Sequence, residues 1–362
     1  MHNKYQLKQI AIIGSHGLPP RYGGFETLAD NLVKKLSIEF SLSVYCSSKI
    51  YEHRESSYNG AKLIYLPLRA NGIQSIIYDV LSIFHALRYA DVFLVLGVSG
   101  CIIFPLLRLF SKKKILVNID GLEWSRDKWS GIARIFLKLS ERLAVRYASA
   151  VIVDNEEIQN YIAGKYGVAT HLIEYGGDHL KPVSGEDFIN VFPSSGKMYA
   201  LSVCRIEPEN NIHTILNAFS KIDDFPLVIV GNWNNSSYGR DLRAEYRDYK
   251  NIFLLDAIYE EHKLNALRSN CYVYIHGHSA GGTNPSLVEA MSLKLPVIAY
   301  DVSYNRATTE GKAIYFKDSE DLMLKIKNFD SQTAARLSSD MSEIARRRYR
   351  WDIIAQKYAS LF

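Results

Sequence analysis

The run His276-Gly-His-Ser-Ala-Gly-Gly-Thr-Asn-Pro-Ser-Leu-Val-Glu289-Ala-Met leaves a short apolar stretch of β-formers, Cys271–Ile275, and enters a helix predicted over Ser286–Leu293. Between strand and helix stand Gly281 and Gly282, followed by Thr283, Asn284 and, beyond Pro285, Ser286. Such a loop can bring bare backbone N–H groups up to an anion, and the helix N-terminus adds a partial positive charge. Pro285 suits the first helical turn, where its missing N–H costs nothing. Glu289, one turn further on, can reach back to a polyol beside that anion. Phosphate together with sugar hydroxyls suggests a nucleotide-sugar. The same residues also suit a plain strand-to-helix connection whose glutamate is favoured by the helix dipole. Two histidines beside two adjacent glycines tilt the choice toward ligand binding.

Three further segments offer complementary chemistry. Ser202-Val-Cys-Arg205-Ile-Glu-Pro-Glu-Asn-Asn211 ends another predicted strand. The Arg205 guanidinium can grip a diphosphate at two points and stabilise charge on a departing nucleotide. Asn210 and Asn211 are expected to cap the helix that follows, Ile212–Lys221. The first strand-to-helix turn, Gly14-Ser-His-Gly-Leu-Pro-Pro-Arg21-Tyr22-Gly23-Gly24-Phe25-Glu26, is glycine-rich, but Gly14 and Gly17 are wrongly spaced for a dinucleotide fingerprint. The second strand also ends in Ser47-Ser48 instead of the acidic residue that holds an adenosine ribose, which argues against a dehydrogenase. Gly23 and Gly24 open a helix, so this loop too can receive a phosphate; otherwise it is a flexible loop at the edge of a cleft. In Asn118-Ile-Asp120-Gly-Leu-Glu123-Trp124-Ser-Arg126-Asp-Lys-Trp129, Asp120 and Glu123 can orient an acceptor hydroxyl or take its proton. Trp124 and Trp129 offer flat faces for a sugar ring, or serve as core and capping residues.

Other chemistries lack their residues. No Asp-x-Asp occurs to clamp a divalent ion on a diphosphate, and His276 and His278 have no further ligands for a zinc site. No Gly-x-Ser-x-Gly elbow and no Gly-Lys-Ser/Thr phosphate loop is present, which disfavours hydrolase and NTPase readings. The expectation is therefore a site without metal or other cofactor.

These residues need a scaffold, and 362 residues suffice for two domains that each bury a core. A hydrophobic content of 48% with 22% charged residues belongs to a folded globular protein. The polar start, Met1–Gln9, and the lack of a long apolar run argue against secretion and against a membrane-spanning helix. Cys46, Cys101, Cys204 and Cys271 are scattered singly and read as reduced core residues, so the expected location is cytoplasmic. The net charge of +5 lies entirely in residues 1–178, with 21 Lys and Arg against 16 Asp and Glu. Part of it is Lys112-Lys113-Lys114, directly after the apolar segment Ile102–Phe110. That segment reads either as a peripheral contact with an anionic membrane or as a buried helix followed by a solvated turn. Nothing points to nucleic acid as a partner.

Strand and helix patterns alternate along the whole chain, which implies α/β domains with parallel sheets covered on both faces. Strands are predicted at Gln9–Gly14, Leu42–Ser47, Lys62–Leu68, Asp91–Gly97, Lys114–Asp120, Ala150–Asp154 and His171–Tyr175. A second series is predicted at Lys197–Cys204, Pro226–Gly231, Asn251–Asp256, Cys271–His276, Pro296–Tyr300 and Ala313–Phe316. Helices intervene, notably Gly24–Ser37, Gln74–Tyr89 and Ile132–Tyr147. Glycine, proline and serine between Gly176 and Gly196 break the periodicity as a linker would. Two doubly wound domains in tandem place a ligand cleft between their strand ends. Ser331–Phe362 reads as one or two helices around the basic Arg346-Arg347-Arg348.

Taken together, four blocks resemble a GT-B fold glycosyltransferase of family 4, in the bacterial branch that includes capsule and cell-wall rhamnosyltransferases and carries an N-terminal domain of the DUF1972 type. They are Gly17–Thr27, Asp120–Trp129, Arg205–Asn211 and His276–Met291, in that order and spanning almost the whole chain; the closing Tyr349–Tyr358 resembles the family's last helix. The resemblance implies an acceptor-side Rossmann-like domain over 1–178, a linker over 179–196, a nucleotide-sugar domain over 197–345, and a helix over 346–362 that crosses back to the first domain. It also implies a retaining sugar transfer, L-rhamnose from a dTDP-sugar or another hexose from a UDP-sugar, onto a lipid-linked or growing glycan. Arg205, Glu289 and Asp120 then carry catalysis. Asn210, Asn211, His276, His278, Gly281, Gly282, Thr283, Asn284, Ser286 and Glu289 surround the donor, with Glu289 on its ribose. Arg21, Tyr22, Gly23, Gly24, Phe25, Glu26, Glu123, Trp124 and Arg126 face the acceptor. Two departures stand out: Gly281 occupies the place of the family's first glutamate, and Asn210 that of a common lysine. His276, His278 and Asn284 are the candidates to compensate. A nucleotide-sugar epimerase and a non-catalytic nucleotide-sugar binder remain alternatives of another class.

Overall fold

The computed structural model describes residues 7–21, 23–119, 121–125, 131–183 and 198–362. The chain divides into two compact units, Met1–Glu174 together with Trp351–Phe362, and Tyr175–Arg350. The first is built on an eight-stranded sheet made of β1 (Gln9–Ile13), β2 (Ser41–Ser47), β3 (Ser57–Tyr58), β4 (Ala61–Leu66), β5 (Val92–Leu96), β6 (Lys114–Ile119), β7 (Ala150–Val153) and β8 (His171–Leu172). Their spatial order is β3-β4-β2-β1-β5-β6-β7-β8. Every pairing is parallel except that of β3 with β4, a hairpin closed by Asn59-Gly60 with both φ values positive. The second unit holds a parallel six-stranded sheet of β9 (Ala200–Val203), β10 (Leu227–Gly231), β11 (Ile252–Asp256), β12 (Val273–His276), β13 (Val297–Tyr300) and β14 (Ile314–Phe316). Its order is β11-β10-β9-β12-β13-β14.

The central strands are near-continuous apolar runs, Ile10–Ile13, Val92–Leu96 and Leu227–Val230, all buried, as strands covered on both faces must be. All thirteen predicted strands are present, most of them a residue or more shorter, and β3 is added. Both sheets reverse direction once. From β1 the chain steps outward to β2 and β4, then returns to the other side of β1 at β5; from β9 it steps to β10 and β11, then returns at β12. At such a reversal the loops leaving two adjacent strands diverge, and the crevice between them is where open α/β sheets take their ligands.

The helix Trp351–Leu361 is part of the first unit. It packs on α1 (Gly24–Leu36), with Lys35 Nζ 2.5 Å from Asp352 Oδ1. Asn118 at the end of β6 donates to the Tyr358 hydroxyl at 2.6 Å, Lys357 pairs with Glu174 at 2.8 Å, and Lys8 Nζ donates to the Phe362 carbonyl.

The segmentation differs in detail from expectation. The second unit begins at Tyr175, ahead of the predicted linker, because Leu180 is buried in its core and the Val183 N–H donates to Ser269 Oγ at 3.1 Å. Residues 184–196 of that linker lie outside the described residues. Arg346-Arg347-Arg348 form the last turn of the helix Ser331–Arg348 and do not separate two helices; Arg347 and Arg348 reach Glu310 at 2.7 and 3.1 Å.

Candidate functional site

In the second unit the site is assembled where the loops after β9 and β12 meet. The two are joined along their length. Asn211 Nδ2 donates to the Gly277 carbonyl at 2.9 Å, and both the N–H and the hydroxyl of Ser279 donate to the Glu209 carbonyl at 2.9 Å. Gly277 is required for this approach, because a Cβ there would lie 2.2 Å from the Asn210 carbonyl oxygen. Asn210 Nδ2 donates back to the Arg205 carbonyl at 2.7 Å. The expected capping role of these asparagines is therefore corrected. Asn211 sits in the left-handed region at φ 51°, and neither side chain caps α6 (Ile212–Phe219); both hold loops. From the other side Asn305, buried, donates from Nδ2 to the His278 and Tyr300 carbonyls at 2.9 and 2.8 Å.

Arg205 emerges from this knot half-exposed, its Nη1 3.5 Å from Glu207 Oε1. The loop after β12 leads into α9 (Pro285–Ser292), with Pro285 in its first turn. Asn284 stands at its N-cap without a side-chain cap bond; its Oδ1 accepts from the Ser286 hydroxyl at 3.3 Å. Pro285 has no N–H and the Leu287 N–H donates to the Asn284 carbonyl at 3.0 Å, so the Ser286 N–H is the first-turn amide left to a ligand or solvent, as anion binding at a helix N-terminus requires. Gly281 has φ +116° and open space where a Cβ would be, so its backbone conformation and not crowding selects glycine. Gly282 stands half-buried beside it, and Thr283 is buried.

Two side chains are enclosed more than their roles suggest. His276, at the end of β12, is 1% exposed, and neither ring nitrogen has a hydrogen-bond partner. Burial drives its pKa down to about 3, so the ring is neutral. It stacks on His278 with centroids 4.4 Å apart and planes within 9°. Glu289 is also buried, where a solvated first-turn residue was the alternative: its Oε2 lies 2.5 Å from Nη2 of buried Arg268, and its Oε1 3.6 Å from His179 Nε2. Burial lowers the His179 pKa, against the opposing pull of Glu289. Arg268, His179 and Asn305 were missed in the sequence. They come from three separate segments, and no local spacing connects them to Glu289 or to the loop.

In the first unit the loop after β1 stands at the β1–β5 reversal. It is held on several sides, which corrects the picture of a flexible edge. Ser47 N–H donates to the His16 carbonyl at 2.9 Å, the Tyr51 hydroxyl to Pro19 at 2.9 Å, and the Tyr78 hydroxyl to Ser15 at 3.2 Å. Glu26, buried in the first turn of α1, accepts from the His16 N–H at 2.6 Å and contacts its Nδ1 at 3.0 Å. Gly23 and Gly24 lead into that turn, Gly23 with φ +102°, and Phe25 packs near Gly97 after β5. Arg21 donates to the Ile50 carbonyl at 3.0 Å and lies over the Tyr51 ring.

Glu123 and Trp124 form a short 3-10 turn after β6. The Trp124 indole donates to buried Glu141 at 2.8 Å, and the Lys138 ammonium sits 4.4 Å above its ring, so it is a packed residue with one face covered by a cation. Glu141 also accepts from the Tyr161 and Tyr166 hydroxyls at 2.8 and 2.6 Å. Asp120, Tyr22, Arg126 and Trp129 lie outside the described residues.

Comparison with solved structures places this architecture. The chain is similar to sucrose-phosphate synthase from Thermosynechococcus elongatus, with a TM-score of 0.85 and 18% identity over 98% of each chain. It is similar to Anabaena HepE in complex with UDP at TM-score 0.75 and 16% identity, covering 98% of this chain and 99% of the other. A glycosyltransferase from Rickettsia africae gives 0.73 and 13%, covering 99% and 98%. The fold is GT-B, two Rossmann-like domains in one chain. Residues 7–178 match the family described as Domain of unknown function (DUF1972), and residues 185–348 match Glycosyl transferases group 1. The chain therefore joins a DUF1972 domain to a group 1 glycosyltransferase domain, and it is a hexosyltransferase.

Proposed function

We propose that the chain moves a sugar, L-rhamnose from dTDP-rhamnose, onto a hydroxyl of a lipid-linked or growing bacterial cell-surface polysaccharide, with retention of configuration and without a metal or other cofactor. The observation that carries the transfer is the joined pair of loops at the β9–β12 reversal, which bears both Arg205 and a helix start without a side-chain cap. The choice of rhamnose rests on the four sequence blocks that resemble the rhamnosyltransferase branch.

Arg205 and the N–H groups of residues 281–284 and 286 take up charge on the departing diphosphate, the largest expected contribution to rate. Glu289 receives the donor ribose. His276, His278 and Asn284 supply polar contacts in place of the family's first glutamate. The loop from Arg21 to Glu26, with Glu123, Trp124 and, outside the described residues, Tyr22, Asp120 and Arg126, positions the acceptor. No side-chain nucleophile is assigned. The bond from the anomeric carbon to the phosphate oxygen breaks while the acceptor oxygen bonds to the same face. The leaving phosphate keeps the bonding pair and accepts the acceptor's proton. A UDP-sugar is the second reading of the donor, favoured by the HepE structures with UDP and with UDP and glucose.

A thermal-shift panel of dTDP-rhamnose, dTDP, UDP-glucose and UDP tests the donor: a ligand at 100 times its Kd adds about 2.7 kcal/mol of stability. A shift with UDP-glucose and none with dTDP-rhamnose replaces the donor. Labelled donor incubated alone and with lipid-linked acceptor tests the reaction; epimerised sugar without acceptor would overturn transfer.

A further inference from the structure

Three successive helices of the first unit turn apolar residues to solvent. Helix α2 (Ile73–Ala86) carries Ile73, Ile77, Leu81 and Phe84 at steps of four, four and three residues, which is one stripe of a helix, and all four are exposed, Ile73 by 80%. Its inward side holds Ser75, Asp79 and Ser82 beside Tyr78 and Ile83, so its polarity is reversed for a solvated surface helix. Helix α3 (Phe104–Phe110) buries Phe104 and Leu107 and exposes Leu106, Leu109 and Phe110, the last by 79%. Helix α4 (Gly131–Tyr147) exposes Ile132, Ile135 and Leu139, Ile132 by 84%.

The topology gathers these helices on one side of the sheet. From β4 to β5, β6 and β7 the chain steps in one direction, and right-handed crossovers then lay every connecting helix on the same face. Side chains fix α3 between its neighbours: Lys113 Nζ donates to Leu87 at the end of α2 at 2.6 Å, and Arg108 Nε donates to Tyr147 at the end of α4 at 2.7 Å. The charge on this face has one sign. Asp79 and Glu141 are the acidic residues of the three helices, and both are buried. The exposed charges on the helices and just past the ends of α2 and α3 are Arg88, Lys112, Lys138, Arg142 and Arg146.

We propose that the face formed by α2, α3 and α4 docks on an anionic lipid bilayer, its apolar stripes entering the headgroup boundary and its lysines and arginines meeting lipid phosphates. The one-signed charge selects this occupant, because a second copy of the same face would bring like charges together. The inference rests on the reading of a lipid-linked acceptor in that it names the surface that brings the enzyme to it.

The test is co-sedimentation of the full chain, without any sugar donor, with vesicles of phosphatidylcholine and phosphatidylglycerol and with phosphatidylcholine alone. Failure here leaves the transfer reaction measurable with a detergent-dispersed acceptor, so the two readings fail separately. Binding is expected on the anionic vesicles and weakens with added salt. Leu109→Asp with Phe110→Asp abolishes it, Lys112→Ala and Arg146→Ala each weaken it about fivefold, and Ile38→Asp, at an exposed apolar residue outside these helices, leaves it unchanged. Absence of binding, or equal binding by the Leu109/Phe110 variant, overturns the proposal. So does a dimer seen by light scattering that Phe110→Asp dissociates, which assigns the face to a second copy.

Discussion

Arg268 Nη2 lies 2.5 Å from Glu289 Oε2, with both side chains almost sealed from solvent. A carboxylate in such a place is costly unless a cation meets it, and the guanidinium both offsets that cost and fixes the plane of the carboxyl group. Arg268→Ala strands the buried charge and is expected to destabilise the fold by about 3–5 kcal/mol. Arg268→Met combined with Glu289→Gln recovers most of this loss without recovering nucleotide affinity. Urea denaturation and nucleotide titration of the three proteins decide the matter; a single Arg268→Ala variant with the wild-type midpoint removes the argument.

The joint between the loops after β9 and β12 is testable at Gly277. Gly277→Ala drives a methyl group against the Asn210 carbonyl and costs about 1–3 kcal/mol. Asn211→Ala leaves the Gly277 carbonyl without its donor, at about 1–2 kcal/mol. Because the two residues act on one contact, the double variant loses less than the sum of the two, and a double-mutant cycle by thermal melting measures the coupling.

Restoring the family's usual residue at position 281 is expected to fail. At φ +116° the backbone accepts an L side chain only with strain, of order 1–3 kcal/mol. Gly281→Glu therefore lowers stability and raises the KM for donor, although space for a Cβ is open. A Gly281→Glu enzyme with improved kcat/KM refutes this.

The pKa of His276 is displaced downward by burial, to about 3, whereas the unfolded chain titrates near the ordinary 6.5. The folded state binds the proton less readily, so its full stability is present above about pH 6.5 and is lost progressively as pH falls toward 3. The loss is of the order of a few kcal/mol. His276→Gln should flatten the pH dependence of the melting temperature between pH 4 and about 6.5; an unchanged slope in that variant rules the assignment out.

Strand patterns and the loops that end in Arg205 and enter α9 were legible because each depends on local periodicity or on glycine and proline at fixed offsets. The hairpin strand β3 was missed although Asn59-Gly60 marks its turn, because two residues give no alternation to read. The asparagines at 210 and 211 fitted a cap locally; a carbonyl 66 residues away claimed the Asn211 side chain. The burial of Glu289 against Arg268 was not legible because that arginine lies on another helix. The helix α2 was legible, but not the side to which its apolar stripe turns, since hydrophobic periodicity reports one face of a helix and not its surroundings.

The helix Trp351–Leu361 belongs to the first unit, and the hydrogen bond from Asn118 to its Tyr358 hydroxyl and the tie from Lys8 to Phe362 close that unit. On the ribosome, the first unit must therefore wait for residues 351–362 before it is complete. A chain cut before Trp351 would carry all of its second unit attached to an unfinished first one.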